Sequence, residues 1–184
     1  PKNKIVGMAG ILDSSRFIYF LSEELKVPVK KIKSFVLGGH GDSMVAMLGL
    51  TEVEGKKINE LIKEGKIKKE KIDQIIERTK KGGAEIVKYL EKGSAFYAPA
   101  ASGVEMAQSY LQDLKKQLPC AAYLNGEYGV KDLYAGVPVV IGSGGVEKVV
   151  ELELTPQEKD NFEKSIQTVR DLFENAQKID PSLK

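Results

Sequence analysis

Apolar residues recur at helical spacing through most of the chain and change to alternation near Cys120. Before that point, the short apolar run at residues 4–8 predicts a buried strand, and residues 9–12 predict a tight passage into a helix. Residues 13–26 carry apolar side chains every three or four positions, which predicts an amphipathic helix. Asp13 to Ser15 stand at the start of this helix, where we expect their side chains to cap it.

Two short strands and a charged helical region are predicted next. The apolar residues 35–37 indicate a short buried strand, and residues 44–50 alternate weakly, which predicts a second strand antiparallel to the first. A short helix is expected over 56–62 and a long one from Glu70 to Glu91, which Gly82-Gly83 should weaken or kink. The inward positions of the long helix should be Ile72, Ile75, Ile76, Thr79, Ile86, Val87 and Leu90.

A helix rich in small residues follows. Gly93-Ser94 breaks the long helix, Ser94 is a candidate cap of the next one, and Pro99 fits its first turn. From Cys120 onward, Gly-containing turns separate predicted antiparallel strands at 120–128, 133–134, 137–141 and 147–152.

A capping-box sequence, Thr155 to Glu158, opens the final helix, which extends to about Ile179. Its apolar positions are expected to face inward: Phe162, Ile166, Val169, Leu172 and Phe173.

These elements predict an α+β fold in which mainly antiparallel strands pack against long helices. The chain of 184 residues is long enough for a core of its own, and we expect residues 1–184 to form a single domain. A fully apolar strand usually lies inside a sheet, yet nothing stands before residues 4–8 to supply one. We therefore expect residues 1–12 to be the last strand and the link of a preceding domain.

Composition and charge narrow the classes of function. The hydrophobic fraction of 42% is that of an ordinary globular protein, and the net charge of +2 requires no polyanionic partner. Lysines in residues 54–92 are interleaved with glutamates, which favours a solvated helix face over a nucleic-acid patch. No apolar run approaches the length of a membrane span, and the single cysteine, Cys120, cannot form an internal disulfide. We expect a cytoplasmic protein without nucleic-acid or membrane partners.

The only histidine of the sequence, His40, follows the strand predicted at 35–37 and is surrounded by three glycines. Because glycine lets other groups come close to the backbone, we interpret His40 as a site residue presented at a strand end. A plain turn that contains a histidine is the alternative. Asp13 and Arg16 lie one helical turn apart and share a face. A cap and a surface pair would also explain them, although the helix dipole disfavours a cation as early as Arg16.

Together the three side chains suit the oxidation of a 2-hydroxy acid. A carboxylate bonded to one imidazole nitrogen makes the histidine a better proton acceptor, and the other nitrogen can take the substrate's hydroxyl proton. A guanidinium binds a carboxylate through two hydrogen bonds. The hydride released from the carbon needs an acceptor that no side chain provides, so a nicotinamide cofactor is implied.

Other kinds of site fit the sequence less well. Gly142 to Gly145 looks like a phosphate loop but lies between two predicted strands, so a hairpin turn is the better interpretation. A Ser-His-Asp hydrolase that uses Ser14 or Ser43 lacks a nucleophile elbow. A metal site lacks a second ligand cluster beside the single histidine.

Several segments of the chain, in order, resemble the lactate/malate dehydrogenase family, and within it the bacterial malate dehydrogenases of the lactate-dehydrogenase-like type. The resemblance covers essentially the whole chain and corresponds to the family's C-terminal, substrate-binding domain. It implies that the nucleotide-binding domain of the family precedes this chain. The segments are Gly7 to Gly10, Leu12 to Phe17, Gly39 to Val45, Ser94 to Ser102, Gly126 to Gly129 and Gly136 to Val140.

The resemblance implies roles for individual residues. His40 would be the proton acceptor, Asp13 its orienting partner, and Arg16 the clamp on the substrate carboxylate. Met8 would lie near the nicotinamide, and Ser94-Ala95 would line the substrate pocket.

The family also implies malate and oxaloacetate as substrates, NAD held mainly by the preceding domain, and a homodimer or tetramer. A lactate or other 2-hydroxy-acid dehydrogenase is the alternative within the family. A non-catalytic oligomerisation module is the alternative outside enzyme function.

Overall fold

In residues 1–183, which the computed structural model describes, the strands lie in two antiparallel sheets. The strands are β1 (Ile32–Lys33), β2 (Val36–Gly38), β3 (Met44–Ala46), β4 (Glu52–Val53), β5 (Lys56–Lys57), β6 (Lys116–Asn125), β7 (Lys131–Gly142) and β8 (Gly145–Val149). The larger sheet has the order β3-β2-β7-β6, with β8 also paired to β7, and β1, β4 and β5 form the smaller sheet. The antiparallel pair predicted around His40 is confirmed as β2 and β3.

Six α-helices of the same residues accompany the sheets. They are α1 (Ala9–Leu25), α2 (Ile58–Lys63), α3 (Lys69–Lys80), α4 (Gly82–Leu90), α5 (Tyr97–Leu111) and α6 (Pro156–Ile179). The predicted capping box of α6 is present, with Thr155 accepting from the Glu158 backbone and Glu158 from that of Thr155. No helix in residues 1–183 combines the length and the apolar character that a bilayer-spanning segment needs. The α+β fold of antiparallel strands and long helices is confirmed.

Two hydrophobic clusters form the core, and α1 contributes to both. Ile11 belongs to the cluster between the larger sheet and α6. Phe17 and Leu21 belong to the cluster that joins α1 to the smaller sheet and α3. Because α1 is anchored on two sides, the residues between Ile11 and Phe17 are held firmly, and two of the candidate site residues lie among them.

The N-terminal segment differs from the prediction. Residues 4–8 are not a strand, because Gly7 makes only a single antiparallel bridge with Ala121. The helix starts at Ala9, four residues earlier than expected, so Asp13 does not cap it. Gly10 lies in the first turn of α1, where a Cβ would lie 2.5 Å from the Pro119 carbonyl oxygen. This glycine therefore lets α1 lie directly on β6 and does not break the helix.

Several strand and helix boundaries also differ. The second strand of the pair ends at Ala46, and residues 56–57 form β5 where a helix was expected. The strand from Cys120 ends at Asn125, and the two short strands predicted at 133–134 and 137–141 are one continuous strand, β7. The cap expected at Ser94 is absent, since Phe96 occupies the N-cap of α5 and no side chain bonds there. The predicted hairpin turn between Gly142 and Gly145 is confirmed.

Part of the predicted inward face of two helices is exposed. Val87 and Leu90 on α4, and Leu172 and Phe173 on α6, face solvent, whereas Ile72 on α3 is fully buried. Apolar periodicity shows that a helix has an apolar face, but it does not show whether another part of the fold covers that face. The expected kink at the glycine pair is a full break, with Lys81 between α3 and α4.

Candidate active site

The second and third turns of α1 carry two of the candidate residues on one face. Asp13 is almost completely buried, at 1% exposure of its side chain, and Arg16 is 11% exposed. Their closest charged atoms, Asp13 Oδ1 and Arg16 Nη1, are 3.8 Å apart. Because this contact is made by Oδ1, the second carboxylate oxygen, Oδ2, is available to another partner.

The loop after β2 supplies that partner. The backbone turns out of the strand at Gly38, which has a positive φ of 84°, and presents His40 with 53% of its side chain exposed. His40 Nδ1 lies 2.8 Å from Asp13 Oδ2. The hydrogen bond that the resemblance predicts between these two side chains is therefore present, and it joins the loop after β2 to α1.

The electrostatics of His40 follow from this hydrogen bond. The Asp13 hydrogen bond raises the pKa of His40 above its ordinary value, while partial burial and the nearby charge of Arg16 oppose the rise. Since Asp13 engages Nδ1, Nε2 is the nitrogen that remains for a ligand; within residues 1–183 no hydrogen bond engages it. A histidine held in this way can accept and return a proton on its exposed side.

Arg16 is held mainly by packing. A Cβ on the buried Gly82 would lie 3.0 Å from Arg16 Cδ, so the side chain passes against the α4 backbone where the α3–α4 break occurs. Within the described chain, Arg16 Nε and Asp13 Oδ1 are buried without a hydrogen-bond partner. A guanidinium with unused donors beside a proton-accepting imidazole is suited to bind a carboxylate.

A small cavity adjoins the imidazole. It has a volume of about 190 Å³ and is lined in part by Gly10, Gly39, His40 and Gly136. Its size suits a small organic acid or one flat ring, since pockets for larger ligands are on the order of 300–1,000 Å³. A larger cavity, about 590 Å³, lies between α3 and α6 and does not include His40.

The remaining predicted residues are Met8, Ser94 and Ala95. Met8 is half-buried at the N-cap of α1, where its carbonyl accepts from the Ile11 backbone. Ser94 is exposed and Ala95 is buried in the connection between α4 and α5. In residues 1–183, no hydrogen bond or ion pair links these three residues to Asp13, Arg16 or His40.

Two residues of the site region were missed by the sequence analysis. Gly82 was interpreted only as a helix breaker, although its second effect is to let Arg16 pass. Ser165 on α6 bonds to the His40 loop. A polar residue next to Ile166 in the apolar face of α6 was a signal that could have drawn attention to it.

The chain is similar to known proteins over almost its whole length. Residues 11–179 match the family described as lactate/malate dehydrogenase, alpha/beta C-terminal domain. The chain is 63% identical over 183 residues to a malate dehydrogenase of Pelagibacter ubique (strain HTCC1062), covering 100% of this chain and 57% of that protein. It therefore spans little more than half the length of this relative.

Solved structures give the same picture. Malate dehydrogenase of Cryptosporidium parvum has a TM-score of 0.91 and 46% identity, over 95% of this chain and 56% of that chain. Lactate dehydrogenase of the same organism, complexed with lactic acid and nicotinamide adenine dinucleotide, has a TM-score of 0.90 and 43% identity, over 93% and 54%.

Proposed function

The chain belongs to the lactate/malate dehydrogenase family, and from that premise we propose that it is the substrate-binding and catalytic domain of an NAD-dependent malate dehydrogenase. The observation that carries the proposal is the 2.8 Å hydrogen bond from His40 Nδ1 to the buried Asp13 carboxylate, beside the guanidinium of Arg16. The identity of 63% to a malate dehydrogenase supports malate as the substrate. A lactate or other 2-hydroxy-acid dehydrogenase is the second candidate, supported by the lactate dehydrogenase neighbour.

His40 is the proposed proton acceptor. In the oxidation of malate, the neutral imidazole takes the hydroxyl proton at Nε2, and Asp13 stabilises the imidazolium that forms through its bond to Nδ1. In the reduction of oxaloacetate, the same nitrogen returns the proton to the carbonyl oxygen. Asp13 acts through His40 by fixing its tautomer and orientation, since its carboxylate is buried and oriented toward Nδ1.

Arg16 is the proposed clamp on the substrate. Its planar fork can bind the carboxylate next to the reacting carbon through two parallel hydrogen bonds. The burial of the guanidinium strengthens this contact, because solvent screens it less than it would screen a surface pair. The clamp would orient the hydroxyl toward His40.

The residues around His40 fit one end of a dinucleotide. Glycines and alanines form part of the lining of the cavity of about 190 Å³, and at those positions a flat ring can approach the backbone closely. A bound nicotinamide supplies the hydride acceptor of the reaction. We propose that Met8 lies beside the ring and that Ser94-Ala95 lines the substrate pocket. The rest of NAD would be held by a domain that precedes residue 12, in keeping with coverage of 57% of the relative.

The assembly and location of the protein are also proposals. Exposed large apolar side chains on α4 and α5, among them Tyr89 and Leu111, support a homodimer or homotetramer. The single cysteine, Cys120, is free and buried, which is consistent with a cytoplasmic location.

The test of the proposed function is a comparison of substrates. With the complete natural protein and NAD, kcat/KM for malate should exceed kcat/KM for lactate by at least about 100-fold, a difference of about 2.7 kcal/mol in transition-state binding. A reversed preference would support the second candidate, and absence of turnover with any 2-hydroxy acid would contradict the proposal. The 184-residue chain alone should give no measurable turnover, because positioning against the nicotinamide contributes about 7–11 kcal/mol to such reactions.

A further inference from the structure

Ser165 is a polar residue on the apolar face of α6. It is 3% exposed, and the next residue in the sequence, Ile166, belongs to the core. A buried hydroxyl needs hydrogen-bond partners, since leaving it unsatisfied destabilises the folded protein. Both of its partners lie in the loop that carries His40.

The hydroxyl joins the two ends of that loop. The Gly39 backbone N–H donates to Ser165 Oγ at 2.8 Å, and Ser165 Oγ donates to the Ser43 carbonyl oxygen at 2.5 Å. One side chain thus satisfies a donor just before His40 and an acceptor three residues after it. The bonds fix the backbone on both sides of the imidazole without touching the ring.

The helix α6 and the strand β2 are in close contact where Ser165 packs against Gly38. A Cβ on Gly38 would overlap Ser165 Oγ and lie 2.9 Å from Ser165 Cβ. Helix and strand therefore meet with only the serine side chain between them. Within the loop, the Met44 N–H donates to the Gly41 carbonyl, and the bond from Ser43 Oγ to the His40 carbonyl is long at 3.5 Å. Neither bond holds the Gly39 N–H, which Ser165 accepts from.

We propose that Ser165 is a positioning residue that holds His40 in reach of Asp13. Its importance for turnover rests on the proposed function, whereas its effect on the His40 geometry does not. Removing the hydroxyl leaves the β2–β3 pairing in place but takes the hydrogen-bond partner from the Gly39 N–H and from the Ser43 carbonyl. The imidazole then spends less time bonded to Asp13. The charged groups that face the imidazole are Asp13 and Arg16, and neither is altered by a change at residue 165.

Ser165→Ala is tested against Ser109→Ala as its matched control. Ser109 on α5 is also fully buried, and its hydroxyl also bridges two backbone groups, donating to the Ile141 carbonyl and accepting from the Lys116 N–H. Both variants should lose similar stability, measured by chemical denaturation. Only Ser165→Ala should change the pKa of His40.

The readout is the pKa of His40 in the complete natural protein, from an NMR titration with labelled histidine and with the resonance identified by its loss in His40→Gln. In Ser165→Ala the pKa should fall toward its ordinary value of about 6.5, and hydrogen exchange of the Gly39 amide should accelerate. Turnover of malate should fall about 10- to 100-fold, since a displacement near 1 Å can have that effect. Ser109→Ala should leave the pKa of His40, the exchange rate of the Gly39 amide and the turnover of malate at wild-type values.

A His40 pKa unchanged in Ser165→Ala would overturn the inference, as would an equal change in Ser109→Ala. If the pKa shifts as expected but the wild-type protein oxidises no 2-hydroxy acid, the positioning role stands and the proposed function fails. If the wild-type protein oxidises malate and Ser165→Ala changes neither the pKa of His40 nor kcat, the proposed function stands and the positioning role of Ser165 fails.

Discussion

Gly82 lies against the side chain of Arg16, at a distance where a Cβ would come within 3.0 Å of Arg16 Cδ and 3.2 Å of Arg16 Nε. The glycine stands at the first position of α4, directly after the break from α3. The start of α4 therefore limits where the guanidinium of Arg16 on α1 can lie. The orientation of the proposed carboxylate clamp depends on the absence of a side chain at residue 82.

Gly82→Ala should therefore weaken substrate binding. The added methyl group displaces the guanidinium, and we expect KM for malate to rise about ten-fold, equivalent to about 1.4 kcal/mol of lost binding. Gly83→Ala is the matched control, because a Cβ at that position would lie 3.8 Å from the Arg16 Nη2 atom, an ordinary contact. Steady-state kinetics decide the point, and equal KM values in the two variants would contradict this account of Arg16.

The pH dependence of the reaction should follow the charge of His40. Oxidation of malate needs the neutral imidazole, so kcat/KM should increase as pH rises through the pKa of His40, which the Asp13 hydrogen bond holds above its ordinary value. Asp13→Asn removes the negative charge, and the midpoint should move to lower pH. Asp42→Asn, at an exposed position of the same loop, should leave it in place. A midpoint that is identical in wild type and Asp13→Asn would count against the pairing.

Cys120 should be inert in the folded protein. It lies in β6 with no exposed surface, and burial raises the pKa of its thiol to about 12, so almost no thiolate forms at neutral pH. A thiol reagent such as DTNB should label native protein negligibly and label one thiol of this 184-residue region after unfolding in guanidinium chloride. Fast labelling under native conditions, with the fold verified by circular dichroism, would contradict the buried placement.

The contribution of α3 to the core can be measured with two isoleucines. Ile72 on α3 is fully buried, and Ile72→Ala should lower the free energy of unfolding by about 2–5 kcal/mol through lost burial and a cavity. Ile179 at the end of α6 is 86% exposed, and Ile179→Ala should change it by less than about 0.5 kcal/mol. Urea denaturation of both variants gives the comparison, and similar losses would show that α3 does not pack as described.

Much of the fold could be predicted from the sequence because local patterns and tertiary packing agree there. The alternation after Cys120 gave the antiparallel strands, and the Thr155 capping box gave the start of α6. The predicted start of α1 was wrong because residues 9–12 were interpreted as a passage into the helix, whereas Gly10 lies within α1 and approaches the Pro119 carbonyl closely. Such an approach is a tertiary contact, and no local pattern reveals it.

The candidate site divides in the same way. Asp13 and Arg16 could be paired from helical spacing, and the glycines around His40 marked it as unusual. The hydrogen bond between Asp13 on α1 and His40 after β2 was predicted from a resemblance, and it is present in the structure. Ser165 could not be assigned a partner, because its bonds to Gly39 and Ser43 join residues more than 120 positions apart.

The central claim is that His40 transfers the proton in the oxidation of malate, and the most direct test is NADH formation by His40→Gln in the complete natural protein at saturating malate and NAD. The variant should lose at least about 100-fold in kcat, the lower end of what a positioned acid–base group contributes. Asp42→Asn, two residues away on the exposed side of the loop, should keep the wild-type rate. A His40→Gln protein that forms NADH from malate as fast as wild type would contradict the account.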